Sequence, residues 1–149
     1  MNRSVALTFL AFALVMPVVG STFDAPVAAA AAQTACSEDD NTLCLNGDRF
    51  EIRIDFTTSN GDSGEGRAEE LTNDTGYFWF FDQANVEVVV KVLDGCAING
   101  NFWVFAGGLT DVEVQMTIRD TENGTVKTFD NPQKTPFDPV QDTGAFMTC

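Results

Sequence analysis

The chain has 149 residues, room for one domain that buries about two thirds of its unfolded surface. It carries 22 acidic against 8 basic residues, a net charge of −14, and no histidine. That balance excludes a nucleic-acid partner, which needs a basic patch to displace counterions, and disfavours an anionic membrane. Without histidine the commonest general base and metal ligand are missing, so any chemistry would fall to carboxylates.

Residues 1–20 have one positive charge near the start, Arg3, an apolar run from Val5 to Met16, then Pro17 and a small-residue exit at Gly20. This is the pattern of a secretory signal peptide, and Pro17 stops the run short of a membrane span. Cleavage is expected after Gly20 or within Ala28 to Ala32; lipidation at Cys36 is a minor alternative, because Gln33-Thr34-Ala35 lacks an aliphatic residue before it. Residues 21–35 are rich in alanine and read as a spacer, leaving residues 36–149 as the folded domain.

Cys36 and Cys44 bracket an acidic loop too polar for a core. Arg49 to Thr57 then alternates cleanly, with Phe50, Ile52, Ile54 and Phe56 on one face and Arg49, Glu51, Arg53 and Asp55 on the other. Ser59 to Gly66 reads as a flexible turn, Ala68 to Leu71 as a short strand, and Asn73 to Gly76 as the turn that follows it.

Gly76 to Gly95 holds two apolar runs joined by a four-residue polar break, Asp82-Gln83-Ala84-Asn85, and reads as a central pair of strands. Alternation puts Tyr77, Trp79 and Phe81 on one face and Phe78 and Phe80 on the other. Such a strand is either covered on both faces or offers one aromatic face to a ligand.

Asp94-Gly95 and Asn99-Gly100 are turns, and Phe102 to Phe105 is a strand carrying Trp103. Asp111 to Asp120 repeats the alternation, with Val112, Val114, Met116 and Ile118 inward. Asn123-Gly124 is a hairpin signal, because both positions of a type I′ turn need positive φ, and it joins Asp111–Asp120 to Thr125–Phe129. The tail from Asp130, with Pro132, Pro136 and Pro139, is expected to run extended over the surface or an edge. No stretch has helical periodicity. About seven short strands predict an all-β, antiparallel immunoglobulin-like sandwich, with a small barrel as the alternative.

Four cysteines behind a signal peptide should be oxidised. Of the three possible connectivities, Cys36–Cys44 with Cys96–Cys149 is expected: the first closes a tight acidic loop and the second pins the tail back to the turn after the central pair. Zinc is a poor alternative to the disulfides, since the chain has no histidine and no Cys-x-x-Cys pair.

Asp74-Thr75-Gly76 and Asp142-Thr143-Gly144 spell the triplet of aspartic proteases, whose two aspartates share one proton. Asn73 and Gln141 precede the copies where that family has an apolar strand, and five residues follow Gly144, so no catalytic residue is assigned. Glu38-Asp39-Asp40, Asp62 with Glu65, and Asp111 with Glu113 offer oxygen ligands to calcium, but none fits the twelve-residue calcium loop. A solvated acidic surface is the simpler reading, and no cofactor is expected. Trp79 and Trp103 would form a sugar-stacking or protein-binding platform if both were exposed; tryptophan in a strand is more often core.

Thr42-Leu43-Cys44-Leu45-Asn46, Leu71 to Phe81, Val90 to Gly95, Phe102 to Phe105 and Leu109 to Val112 resemble a recurring module of bacterial secreted proteins, over essentially the whole of residues 36–149. The resemblance implies a bacterial exported protein with a single β module. It also makes the triplet at Asp74 a structural signature, and it brings no catalytic residues with it. The expected function is therefore non-catalytic: a secreted, periplasmic or surface module that binds or scaffolds an extracellular protein or polysaccharide. An inhibitor or accessory domain of a secreted hydrolase, using the loop Ser59–Gly66, is the first alternative, and a small carboxylate-based hydrolase the second.

Overall fold

The computed structural model describes residues 34–149. The predicted signal peptide and most of the spacer lie outside them. Ten strands and one short helix follow in order: β1 (Leu43–Leu45), β2 (Phe50–Thr57), β3 (Ser63–Glu65), β4 (Arg67–Thr72), β5 (Thr75–Trp79), β6 (Val88–Asp94), α1 (Cys96–Asn99), β7 (Phe102–Gly108), β8 (Glu113–Asp120), β9 (Val126–Asn131) and β10 (Val140–Phe146).

The strands form two antiparallel sheets of a sandwich. In the first the order is β1-β2-β8-β9, with β3 sharing the β1 side of β2; in the second it is β10-β7-β6-β5-β4. Neither sheet closes on itself, which rules out the barrel. The strand count exceeds the expected seven because β1 and β3 have three residues each, too few to show a period, and because β10 lies inside the tail.

The alternation of β2 and β8 builds one wall of the core. Phe50, Ile52 and Ile54 pair with Asp120, Ile118 and Met116, and these apolar side chains are buried with Leu43, Leu45 and Val114. Phe78, Val88, Val90, Val92, Phe102, Val104 and Phe146 of the second sheet face them. Burying each such side chain contributes ~1.5–3 kcal/mol, so this shared core is the main source of stability.

The central pair forms as β5 and β6, with Tyr77 opposite Val89 and Phe78 opposite Val88. The strand ends at Trp79, however, so the connection runs from Phe80 to Glu87 and is longer than the four-residue break predicted. Phe80 turns into the core and stacks on Phe56 at 4.5 Å. Phe81 leaves the sheet and meets Phe56 edge-on at 5.3 Å, so it does not share a face with Tyr77 and Trp79.

The Asn123-Gly124 turn is not type I′. The Asp120 amide bonds the Thr125 carbonyl, so residues 121–124 form the loop, as the expected strand bounds leave it, and Gly124 but not Asn123 has positive φ. Asp120 is the reason: its carboxylate accepts the Glu122 amide and the Asn123 side-chain amide, organising a wider loop. The tail runs along an edge, one of its two expected courses, and there contributes a strand of the second sheet. Val140, Gln141 and Asp142 of β10 pair with Ala106, Phe105 and Val104 of β7. The three prolines precede β10 or fall at its approach, which leaves its amides free to pair.

Both expected disulfides form: Cys36–Cys44 and Cys96–Cys149. The second ties α1, where the sequence shows a turn, to the end of the chain. The Asp94 carboxylate accepts the Cys96 amide at the start of that helical turn.

Candidate functional site

The two Asp-Thr-Gly triplets lie in one row of the second sheet. The Asp74 carbonyl accepts the Val92 amide, Val92 pairs with Val104, and Val104 pairs with Asp142. Three strand spacings separate the two aspartates, about 14 Å of backbone, too far for carboxyls to share a proton. Each has its own partners. Asp74 accepts the Thr72 and Thr75 hydroxyls at 2.7 Å and pairs with Lys91 at 3.4 Å. The Thr72 hydroxyl, then that of Thr75, holds its carboxyl below the usual range. Asp142 accepts the Gly144 amide at 2.9 Å and faces Lys127 at 3.6 Å.

Gly76 has a packing role. A Cβ there would fall 2.5 Å from the Leu43 side chain and 2.8 Å from the Glu69 carbonyl. Its missing side chain lets β1 close against β5.

The acidic groups are distributed and partly neutralised. The loop of Glu38, Asp39 and Asp40 docks against β4: the Ala68 amide bonds the Asp40 carbonyl, and the Asn41 side chain bonds the Gly66 carbonyl. Glu69 and Glu70 line the same hollow of about 510 Å³, a proximity the sequence conceals. Arg67 pairs with Asp40 at 2.8 Å, and Arg53 approaches Asp39 at 3.8 Å and Glu65 at 3.9 Å. Asp62, Asp111 and Glu113 are exposed. Among the described residues no three acidic, histidine or cysteine side chains converge to hold a metal ion.

Trp79 and Trp103 are both half-buried and both face outward from the second sheet. They sit at opposite corners. Trp79 pairs with Arg67 at the β4 edge, whereas Trp103 pairs with Leu93 near α1. Counting register places them roughly 20 Å apart along the strand direction, so they form no common platform. The Trp79 Nε1 is buried without a partner, and its ring borders a hollow with Asp40, Arg67 and Glu69. The Trp103 Nε1 donates to the Asn99 Oδ1 at 2.8 Å, and its ring covers Gly95 so closely that a Cβ there would fall 2.4 Å away.

The outer faces of the two sheets differ in character. On the first, Arg119 and Arg53 both pair with Glu51, at 2.6 Å and 3.6 Å, and Gln115 separately donates to Asp130 at 2.9 Å. On the second, Tyr77, Val89, Leu93, Trp103 and Phe105 point outward around Thr75 and Lys91. Val89 is 37 % exposed and the others are half-buried.

Two shallow hollows flank Lys91 on that face. One, of about 270 Å³, is lined by Val89, Phe105, Gly107 and Gln141; the other, of about 640 Å³, by Leu71, Thr72, Asp74 and Leu93. Thr75 and Lys91 border both. Gly107 opens the first hollow, because a Cβ there would meet nothing within 4 Å.

Sequence reasoning chose the tryptophans and missed Val89, Leu93, Phe105 and Gly107. The signal was present in β6, where Val89, Lys91 and Leu93 alternate with Val88, Val90 and Val92. Apolar residues on both faces hid it.

No helix of the described residues is long and apolar enough to cross a membrane. A scan of protein-family models, a search of curated proteins and a search of solved structures each found no match to this chain.

Proposed function

We propose that this protein is an exported, non-catalytic binding module whose binding surface is the outer face of the second sheet. The observation that carries this reading is the contrast between the outer faces. Ion pairs lace one, while the other leaves Tyr77, Val89, Leu93, Trp103 and Phe105 partly open around two hollows. A contiguous, partly apolar surface rimmed by polar groups is what a recognition site requires, and solvation alone gives it no purpose. Two disulfides fit an oxidising compartment, in agreement with the leader pattern of residues 1–20. The separate ion pairs of Asp74 and Asp142 count against carboxylate catalysis. The loop meant for an inhibitory role is shortened by β3, which leaves Thr58 to Asp62 as a closed turn.

The test is radical footprinting of the oxidised protein with and without cell-envelope and culture-fluid fractions. The expected result is protection of Tyr77, Val89 and Phe105, with Gln115 and Thr117 on the other sheet unchanged. Protection of the first sheet, or of neither, would refute the reading.

A further inference from the structure

We propose that the hollows on either side of Lys91 hold successive rings of a neutral polysaccharide. This rests on the reading that the outer face of the second sheet is the binding surface, and adds the class of ligand.

Charge is the first argument. The chain carries −14, and the cations at this face are already engaged: Lys91 with Asp74 at 3.4 Å and Arg67 with Asp40 at 2.8 Å. An acidic polymer would meet like charge with no free cation among the described residues of this face to offset it.

The second argument is what occupies the middle of the face. Thr75 and Lys91 stand where the hollows adjoin, and Asp74, lining the larger hollow, pairs with Lys91 and accepts the hydroxyls of Thr72 and Thr75. Cores of protein interfaces are depleted in charge. A sugar chain has the opposite need: apolar ring faces beside hydroxyls that seek donors and acceptors. Here Val89, Phe105, Leu71 and Leu93 supply apolar floors, while Lys91, Asp74, Thr75 and Gln141 supply the polar groups.

Shape is the third. The hollows are shallow and adjoin at Thr75 and Lys91, so they suit an extended chain laid across the sheet better than an enclosed small molecule.

The experiment is native affinity electrophoresis of the full, oxidised chain in gels containing hydroxyethylcellulose, laminarin or galactomannan, with polygalacturonate as the acidic comparison. Retardation by at least one neutral polymer, and none by polygalacturonate, is expected. Gly107→Phe, which fills a hollow whose space is open, should weaken retardation at least tenfold while the melting temperature holds. Lys91→Ala should weaken it too, and Thr117→Phe on the other sheet should leave it unchanged. Absence of retardation in every neutral gel, equal retardation by polygalacturonate, or insensitivity to Gly107→Phe would overturn the proposal. If envelope proteins still protect Tyr77, Val89 and Phe105 in the footprint, the face contacts protein: the polysaccharide inference falls and the binding surface stands. If nothing protects them, both fall.

Discussion

Arg49 grips Asp120 with two nitrogens, Nε at 3.2 Å and Nη2 at 2.8 Å, and the same Nη2 reaches the Thr148 carbonyl at 2.6 Å. The guanidinium also lies 4.4 Å from the centre of the Phe102 ring. One side chain therefore joins β2, the end of β8, β7 and the C-terminal segment. Asp120 is fully buried, so removing its partner would strand a charge. Arg49→Ala is expected to cost ~3–5 kcal/mol in urea unfolding; a loss below ~1 kcal/mol would show that the clasp is dispensable.

Acid should weaken the same clasp. Burial alone would raise the Asp120 carboxyl, but the hydrogen bonds of Arg49, Thr148 and the Glu122 amide outweigh it and hold the group below its ordinary value. A depressed carboxyl contributes stability above its unfolded value, near pH 4, and that contribution is lost as pH falls through the folded value. The midpoint of urea unfolding should therefore drop below about pH 4, and less steeply in Asp120→Asn. Equal slopes in both proteins would count against Asp120 as the group responsible.

The two glycines of the Asp-Thr-Gly triplets should respond differently to a methyl group. Gly76→Ala meets Leu43 and the Glu69 carbonyl at under 3 Å and should lose ~1–3 kcal/mol. At Gly144 the nearest atom is 3.7 Å away, so Gly144→Ala should fall within about 0.5 kcal/mol of the parent. Thermal melts of both variants decide the matter, and a reversal of the order would refute the packing role of Gly76.

Asp74→Asn and Asp142→Asn should act independently. With their backbones about 14 Å apart across the sheet, the double variant should equal the sum of the singles within ~0.5 kcal/mol. A coupling above ~1 kcal/mol would reveal a communication between the carboxyls that their separate partners do not explain.

The disulfides should differ in weight. The Cys96–Cys149 bond spans 53 residues and Cys36–Cys44 spans 8, so chain entropy assigns them ~4 and ~2.5 kcal/mol. Paired serine variants compared by denaturant unfolding would test the order. A larger loss at the short loop would point instead to its docking on β4.

The fold was most readable where one face of a strand meets water. Phe50, Ile52 and Ile54 alternate with Glu51, Arg53 and Asp55, and the pairing of the cysteines followed from their spacing. It was least readable where both faces are apolar. In β6 nothing in Val88-Val89-Val90 distinguishes the buried residues from the exposed one, because the partner register that decides it comes from β5 and β7. β10 escaped notice for another reason: Asp142-Thr143-Gly144 has turn composition, and its strand character comes from β7 beside it. The candidate site shares both difficulties, since Lys91, Gly107 and Gln141 meet through pairing alone.

The order in which the strands are shared between the sheets bears on when this protein can fold. β2 in the first sheet waits for β8, and β7 in the second waits for β10. A chain appearing from its N-terminus therefore cannot complete either wall until its last third has emerged. Such long-range pairing places folding in the slower class, roughly milliseconds to seconds. For the exported protein proposed above, that delay would keep the chain extended on the near side of a translocation pore until β8 to β10 have crossed.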